Sequence, residues 1–80
     1  GIKMTLSTDQ PSVQFYSGNF LDGTLPKKAD QGPGTYTRFM ALALEAQHYP
    51  DSVHNPSFPS IQLAKGDTYT QKTVYAFDIV

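Results

Sequence analysis

The chain has 80 residues, no cysteine, and six basic against seven acidic side chains, for a net charge of −1 and a pI near 6.0. That size allows one small domain, and the absent cysteines exclude disulfides and thiolate metal sites. The charge balance speaks against nucleic acid, whose phosphates demand clustered Lys and Arg, and no apolar run approaches the ~20 residues of a membrane span.

In chain order, Ile2, Met4 and Leu6 alternate with Lys3, Thr5 and Ser7, the period-2 pattern of a strand. Asp9-Gln10-Pro11 ends it, because proline cannot donate to a sheet ladder. Val13 to Tyr16 is a second strand, β-branched and aromatic. Residues 17 to 38 read as loop, with a turn signal at Asp22-Gly23 and further breaks at Pro26, Gly32, Pro33 and Gly34. A loop of that length is either functional or a variable exposed segment. Asp22-Gly23 lacks the companion carboxylates of a calcium loop.

Met40 to Gln47 consists of good helix formers, but Met40, Leu42 and Leu44 alternate with small Ala41 and Ala43 and the run stops before Pro50. The segment is predicted as a strand buried on both faces, with Ala41, Ala43, Glu45 and Gln47 sharing one face. Pro50 to Pro59 is predicted extended and irregular, with Asp51 capping a turn. Ile61 to Leu63 resumes a strand, Lys65-Gly66-Asp67 turns, and Thr68 to Val80 alternates as a long final strand. The expected architecture is all-β, with about five strands and no helix of consequence. The chain opens inside an alternating pattern without an initiator methionine, as a piece of a longer protein would.

Glu45 is the residue the local pattern marks for chemistry. A carboxylate held among apolar neighbours is a stronger base near neutral pH, and the small alanines on its face leave room for a ligand. The alternative is an ion pair with Arg38 or a lysine, or simple exposure to water. Gln14, an amide within an aromatic strand, either finds buried partners, for which sugar hydroxyls are suited, or faces solvent. Phe15, Tyr16, Phe20, Tyr49 and Phe58 are expected in the core, although such rings also make platforms for sugars. His48 stands three residues from Glu45, on the opposite strand face, so no simple dyad is expected. His48 and His54 do not have metal-ligand spacing.

Two stretches carry a family resemblance. One runs Gln10-Pro11-Ser12-Val13-Gln14-Phe15-Tyr16-Ser17-Gly18-Asn19-Phe20-Leu21-Asp22-Gly23. The other runs Leu44-Glu45-Ala46-Gln47-His48-Tyr49-Pro50-Asp51-Ser52 and continues through Asn55-Pro56-Ser57-Phe58-Pro59. Together with the Gly66-Asp67 turn, Tyr69 and the final aromatic strand, they resemble the C-terminal portion of the aldose 1-epimerases (galactose mutarotases), over nearly the whole chain. The resemblance implies a segment of a large antiparallel β-sandwich with an open sugar cleft, residues 1–80 forming a C-terminal piece incomplete alone. It implies interconversion of the α and β anomers of free hexoses such as galactose and glucose by acid–base ring opening. Glu45 maps onto the family's catalytic base and Gln14 onto a residue that contacts sugar hydroxyls.

The same resemblance implies no metal or organic cofactor, and a hexose and the remaining N-terminal part of the same protein as partners. A cytoplasmic location is expected separately, from the lack of an apolar span and of a visible signal peptide. Family members are several times longer, and their acid histidine, second histidine, asparagine–arginine pair and sugar-binding aspartate lie upstream, unmatched here. Met40-Ala41 stands where members often carry serine-glycine. Two other readings remain at this stage: a non-catalytic carbohydrate-binding relative, and a structural fragment of a larger assembly.

Overall fold

The computed structural model describes residues 1–80 and is all-β. Six strands follow in order: β1 (Ile2–Thr8), β2 (Ser12–Tyr16), β3 (Asp22–Pro26), β4 (Thr35–Thr37), β5 (Ala43–Gln47) and β6 (Thr73–Ile79). Single 3-10 turns at Ala29–Gln31 and Ser52–His54 are the only helical pieces, and no helix is long and apolar enough to cross a membrane. The strands form three two-stranded ladders, β1 with β6, β2 with β5, and β3 with β4. The chain divides into two compact units, Gly1–Val13 with Ala46–Val80, and Gln14–Glu45, so β2 and β5 each run from one unit into the other.

The first unit is organised by the antiparallel β1–β6 ladder. Its register sets Ile2 opposite Ile79, Met4 opposite Phe77 and Leu6 opposite Tyr75. Residues directly opposite share a face, so six large side chains gather on one side. Lys3, Thr5, Ser7, Val74, Ala76 and Asp78 take the other. Beyond Thr8 the ladder ends for a definable reason. The Asp9 N–H still donates to the Lys72 carbonyl at 3.2 Å, but the Lys72 N–H turns to the Asp9 carboxylate at 3.1 Å. The Gln10 amide also donates to that carboxylate, at 2.9 Å. The Gln10 side chain and then the Lys72 N–H hold the Asp9 carboxyl below its usual range. Lys72 thus marks where β6 begins, five residues later than the sequence pattern predicts.

Elsewhere in this unit the Ser12 hydroxyl donates to the Gln47 carbonyl at 2.8 Å. The Gln71 amide donates to the Ala46 carbonyl at 2.9 Å, and the Tyr69 hydroxyl lies 3.2 Å from both the Gln71 and Gln10 amide oxygens. Asp51 adopts a left-handed conformation (φ 61°) and precedes the 3-10 turn, but its side chain does not cap it: the His54 N–H donates to the Asp51 carbonyl at 3.1 Å, and the carboxylate pairs with the His54 ring at 2.5 Å. Tyr49 and Phe58 pack with ring centroids 5.0 Å apart.

The second unit contains a hairpin that the sequence pattern does not reveal. Asp22 opposes Thr37 and Pro26 opposes Thr35, so five residues of β3 face three of β4 across a bulge. The Asp22 carboxylate forms the bulge by accepting from the Thr24 hydroxyl (2.6 Å) and N–H (3.0 Å), and Gly23 supplies the required positive φ of 87°. Those two Thr24 bonds, the hydroxyl first, hold the Asp22 carboxyl below its usual range. The Asp-Gly signal is therefore real, but it marks a bulge within a strand.

Other expectations are corrected as well. The strand predicted from Met40 starts only at Ala43, because Phe39 is left-handed (φ 65°) and the Met40 N–H closes a turn onto the Thr37 carbonyl. Ile61–Leu63 and Thr68–Lys72 carry no ladder. Ile61–Leu63 lies between Pro59 and the turn at Lys65-Gly66 and belongs to none of the three ladders. The expected aromatic core is also absent: no hydrophobic side chain is buried, and Phe15 and Phe20 are 58% and 84% exposed. A two-stranded ladder has no second layer to cover its apolar face.

Two outcomes follow. The isolated 80-residue chain is expected to melt without a cooperative transition by circular dichroism and to bind a hydrophobic dye strongly; a sharp two-state melt would contradict the uncovered-ladder description. In the complete protein the Asp22 carboxyl is expected to titrate below the ordinary value of about 3.9. Because its folded value is the depressed one, its contribution to stability is present above that ordinary value and is lost as pH falls through the folded one. Thr24→Val should move the midpoint up toward the ordinary range, as read by carboxyl NMR, and an unmoved midpoint would refute the assigned cause.

Candidate functional site

Glu45 is the central residue of β5, with Ala43, Leu44, Ala46 and Gln47 half-buried around it. Alternation puts Ala43, Glu45 and Gln47 on one face and Leu44 and Ala46 on the other. The carboxylate itself is exposed, contrary to the burial expected from its apolar run. Burial of a strand-borne side chain requires an opposing layer, and no layer in these 80 residues covers this face. The alternative ion pair is also absent. Asp51–His54 is the one salt bridge in the chain, and the Arg38 Nε donates instead to the Asn19 carbonyl at 3.2 Å. Glu45 therefore stands as an uncommitted carboxylate on a short strand.

Gln14 is the central residue of β2, the strand paired with β5. It too is exposed, and its amide makes one long bond, 3.4 Å, to the Phe15 carbonyl. Such a bond is weak enough to be exchanged for a better partner. Gln14 and Glu45 lie in the same compact unit, at its two ends in sequence. Glu45 can accept a proton, and the weakly bonded Gln14 amide can both donate to and accept from a polyol hydroxyl; the two stand on paired strands.

The histidines do not join this arrangement. His54 is held by Asp51, and half-buried His48 lines a separate hollow of about 440 Å³ with Ser60, Ile61, Gln62, Leu63 and Tyr69. No three His, Asp or Glu side chains come together as a metal-binding group. Of the aromatic residues considered as a platform, only Tyr49 and Phe58 pack ring against ring, tilted by 51°, and they lie outside the Gln14–Glu45 unit in sequence.

Sequence reasoning missed the turn that connects to both strands. Gly18 is the one buried residue of the chain. Its carbonyl accepts the N–H groups of both Leu21 and Phe39 at 3.2 Å. The signal available in the sequence was Ser17-Gly18-Asn19 directly after a strand, a turn composition whose tightness only the structure reveals.

Comparison with known proteins bears on the whole chain. Residues 1–76 match the family model described as Aldose 1-epimerase. The galactose mutarotase of Rattus norvegicus is 44% identical over 72 residues, covering 90% of this chain and 20% of that protein. The galactose mutarotase of Bos taurus is 42% identical over 79 residues, 99% of this chain and 22% of that protein. The aldose 1-epimerase of Escherichia coli (strain K12) is 37% identical over 78 residues, 95% of this chain and 21% of its own length. The chain thus spans about a fifth of the length of the curated relatives it matches. With nearly every residue inside the family match, the chain belongs to the aldose 1-epimerase family.

Proposed function

We propose that this chain is the base-bearing, C-terminal segment of a mutarotase β-sandwich that interconverts the α and β anomers of free hexoses such as galactose and glucose. The observation that carries the reading is the family match over residues 1–76, supported by relatives named galactose mutarotase and aldose 1-epimerase. The free Glu45 carboxylate and the weakly engaged Gln14 amide on the partner strand are in keeping with it.

In this mechanism Glu45 removes the proton of the C1 hydroxyl. The electron pair of that O–H bond forms the C1 carbonyl, the C1–O5 bond breaks, and its electrons take a proton at O5. The open aldehyde rotates about C1–C2, the O5 hydroxyl returns its proton to the acid as O5 re-adds to the other carbonyl face, and the C1 oxygen, taking up the carbonyl electron pair, receives the proton back from Glu45. Gln14 holds sugar hydroxyls so that C1 stays beside the carboxylate. The acid that serves O5 belongs to the rest of the protein, as does the layer that shields Glu45 and raises its strength as a base. The 80 residues alone are accordingly not a catalyst.

The reading is tested by polarimetry of freshly dissolved α-D-glucose or α-D-galactose with the complete protein. Glu45→Gln keeps size and hydrogen bonding but cannot take a proton, so kcat is expected to fall by about 10²–10⁴-fold. A wild-type rate would end the assignment. Gln14→Ala should act mainly on KM, raising it by roughly tenfold for the loss of one or two hydrogen bonds. Saturable sugar binding with no turnover in the unaltered complete protein would instead point to a non-catalytic binding relative.

A further inference from the structure

The tightest place in the Gln14–Glu45 unit lies just beyond β2. Gly18 has a φ of 75°, and its carbonyl accepts N–H groups from both Leu21 and Phe39. A Cβ at this position would lie 2.6 Å from the Ala41 carbonyl oxygen and 3.1 Å from Leu21 Cδ1. Carbon and oxygen cannot approach to 2.6 Å without a bond between them, so any side chain here displaces the Ala41 peptide. The opposing stretch is itself constrained. Phe39 is held left-handed at φ 65°, a costly conformation for a bulky residue, and Arg38 Nε bonds the Asn19 carbonyl at 3.2 Å.

Gly18 lies two residues past the end of β2, and Ala41 two residues before the start of β5. The clamp therefore joins the exit of the strand that carries Gln14 to the entry of the strand that carries Glu45. We propose that Gly18 is a positioning residue for the anomer interconversion: its bare backbone lets the two connections close on each other and so fixes where β5 holds the Glu45 carboxylate relative to Gln14. The inference rests on the reading of Glu45 as the base. Its lever is distance, since a displacement of about 1 Å at a reacting group costs up to 10²-fold in rate.

The test is a double-mutant cycle in the complete protein, read by polarimetry, with Gly32→Ala as the control. Gly32 has nearly the same positive φ (80°) but open space where its Cβ would go, so the control incurs the backbone strain without the clash. Gly18→Ala is expected to lower kcat by about 10- to 100-fold with KM for the hexose unchanged. Gly32→Ala should keep the wild-type kcat. The combined Gly18→Ala, Glu45→Gln protein should be no slower than Glu45→Gln alone, because a misplaced base cannot be lost twice. A folded Gly18→Ala protein with wild-type kcat, a loss equalled by Gly32→Ala, or additive losses in the double variant would each overturn the proposal. Should Gly18→Ala fail to fold, Arg38→Met takes its place by removing only the exposed bond to the Asn19 carbonyl. A several-fold lower kcat at unchanged KM then supports the clamp, and an unchanged kcat overturns it. If Glu45→Gln alone retains the wild-type rate, the base assignment falls and this inference with it. A loss confined to Glu45→Gln removes the inference and leaves the base in place.

Discussion

A β-ladder that collects its apolar residues on one face is stable only against a second layer. The β1–β6 register collects Ile2, Met4, Leu6, Tyr75, Phe77 and Ile79 on one side, and Ile79 remains 92% exposed. Fully covering six such side chains is worth on the order of 10 kcal/mol, which is comparable with the entire stability of an ordinary domain. Whether these strands are held firmly therefore turns on what lies against that face. The same holds for the site. Glu45 is exposed for the reason Phe77 is exposed: the 80 residues form ladders, and ladders alone bury nothing.

The strands that could be read from the sequence are those whose side-chain alternation is uninterrupted. Ile2 to Ser7 alternates cleanly, and β1 occupies Ile2–Thr8. Residues 39 to 47 were the harder case, since their composition favours a helix. Pairing with β2 overrides propensity there, as tertiary context routinely does. Where the reading failed, the missing information was a partner. Ile61–Leu63 has strand composition and is unpaired in the ladders, whereas Asp22–Pro26 has poor strand composition and a partner in Thr35–Thr37. The late start of β6 has the same origin. Alternation begins at Thr68, but the Lys72 N–H bonds the Asp9 carboxylate, so the regular ladder extends only as far as Thr73 opposite Thr8. Strand pairing is a property of two segments, and a pattern in one of them specifies only half of it.

The candidate site was read in a different way. Chemistry marked Glu45 and Gln14, and the structure sets them on paired strands within one unit, neither committed to another side chain. Exposure was among the alternatives the sequence offered for both, and the pattern alone did not decide it, because burial depends on neighbours that these residues do not provide. Gly18 escaped notice for the opposite reason. A glycine in a turn is ordinary, and what makes this one singular is a carbonyl 23 positions further along the chain, at Ala41.

The division of labour in the proposed enzyme follows from these two kinds of information. A general base needs a position and a basicity. Position is a matter of backbone geometry, and the local features beside Glu45 are the β2–β5 pairing and the close approach of Gly18 to Phe39 and Ala41. Basicity is a matter of desolvation and of the charges that surround the carboxylate, and for an exposed Glu45 it has to be supplied by other parts of the protein. The two requirements are therefore separable. On the proposed roles, a substitution at Gly18 acts through the position of the carboxylate, whereas a substitution in the covering layer acts through its solvation. The first alters the rate at every pH, and the second shifts the pH at which the rate is attained.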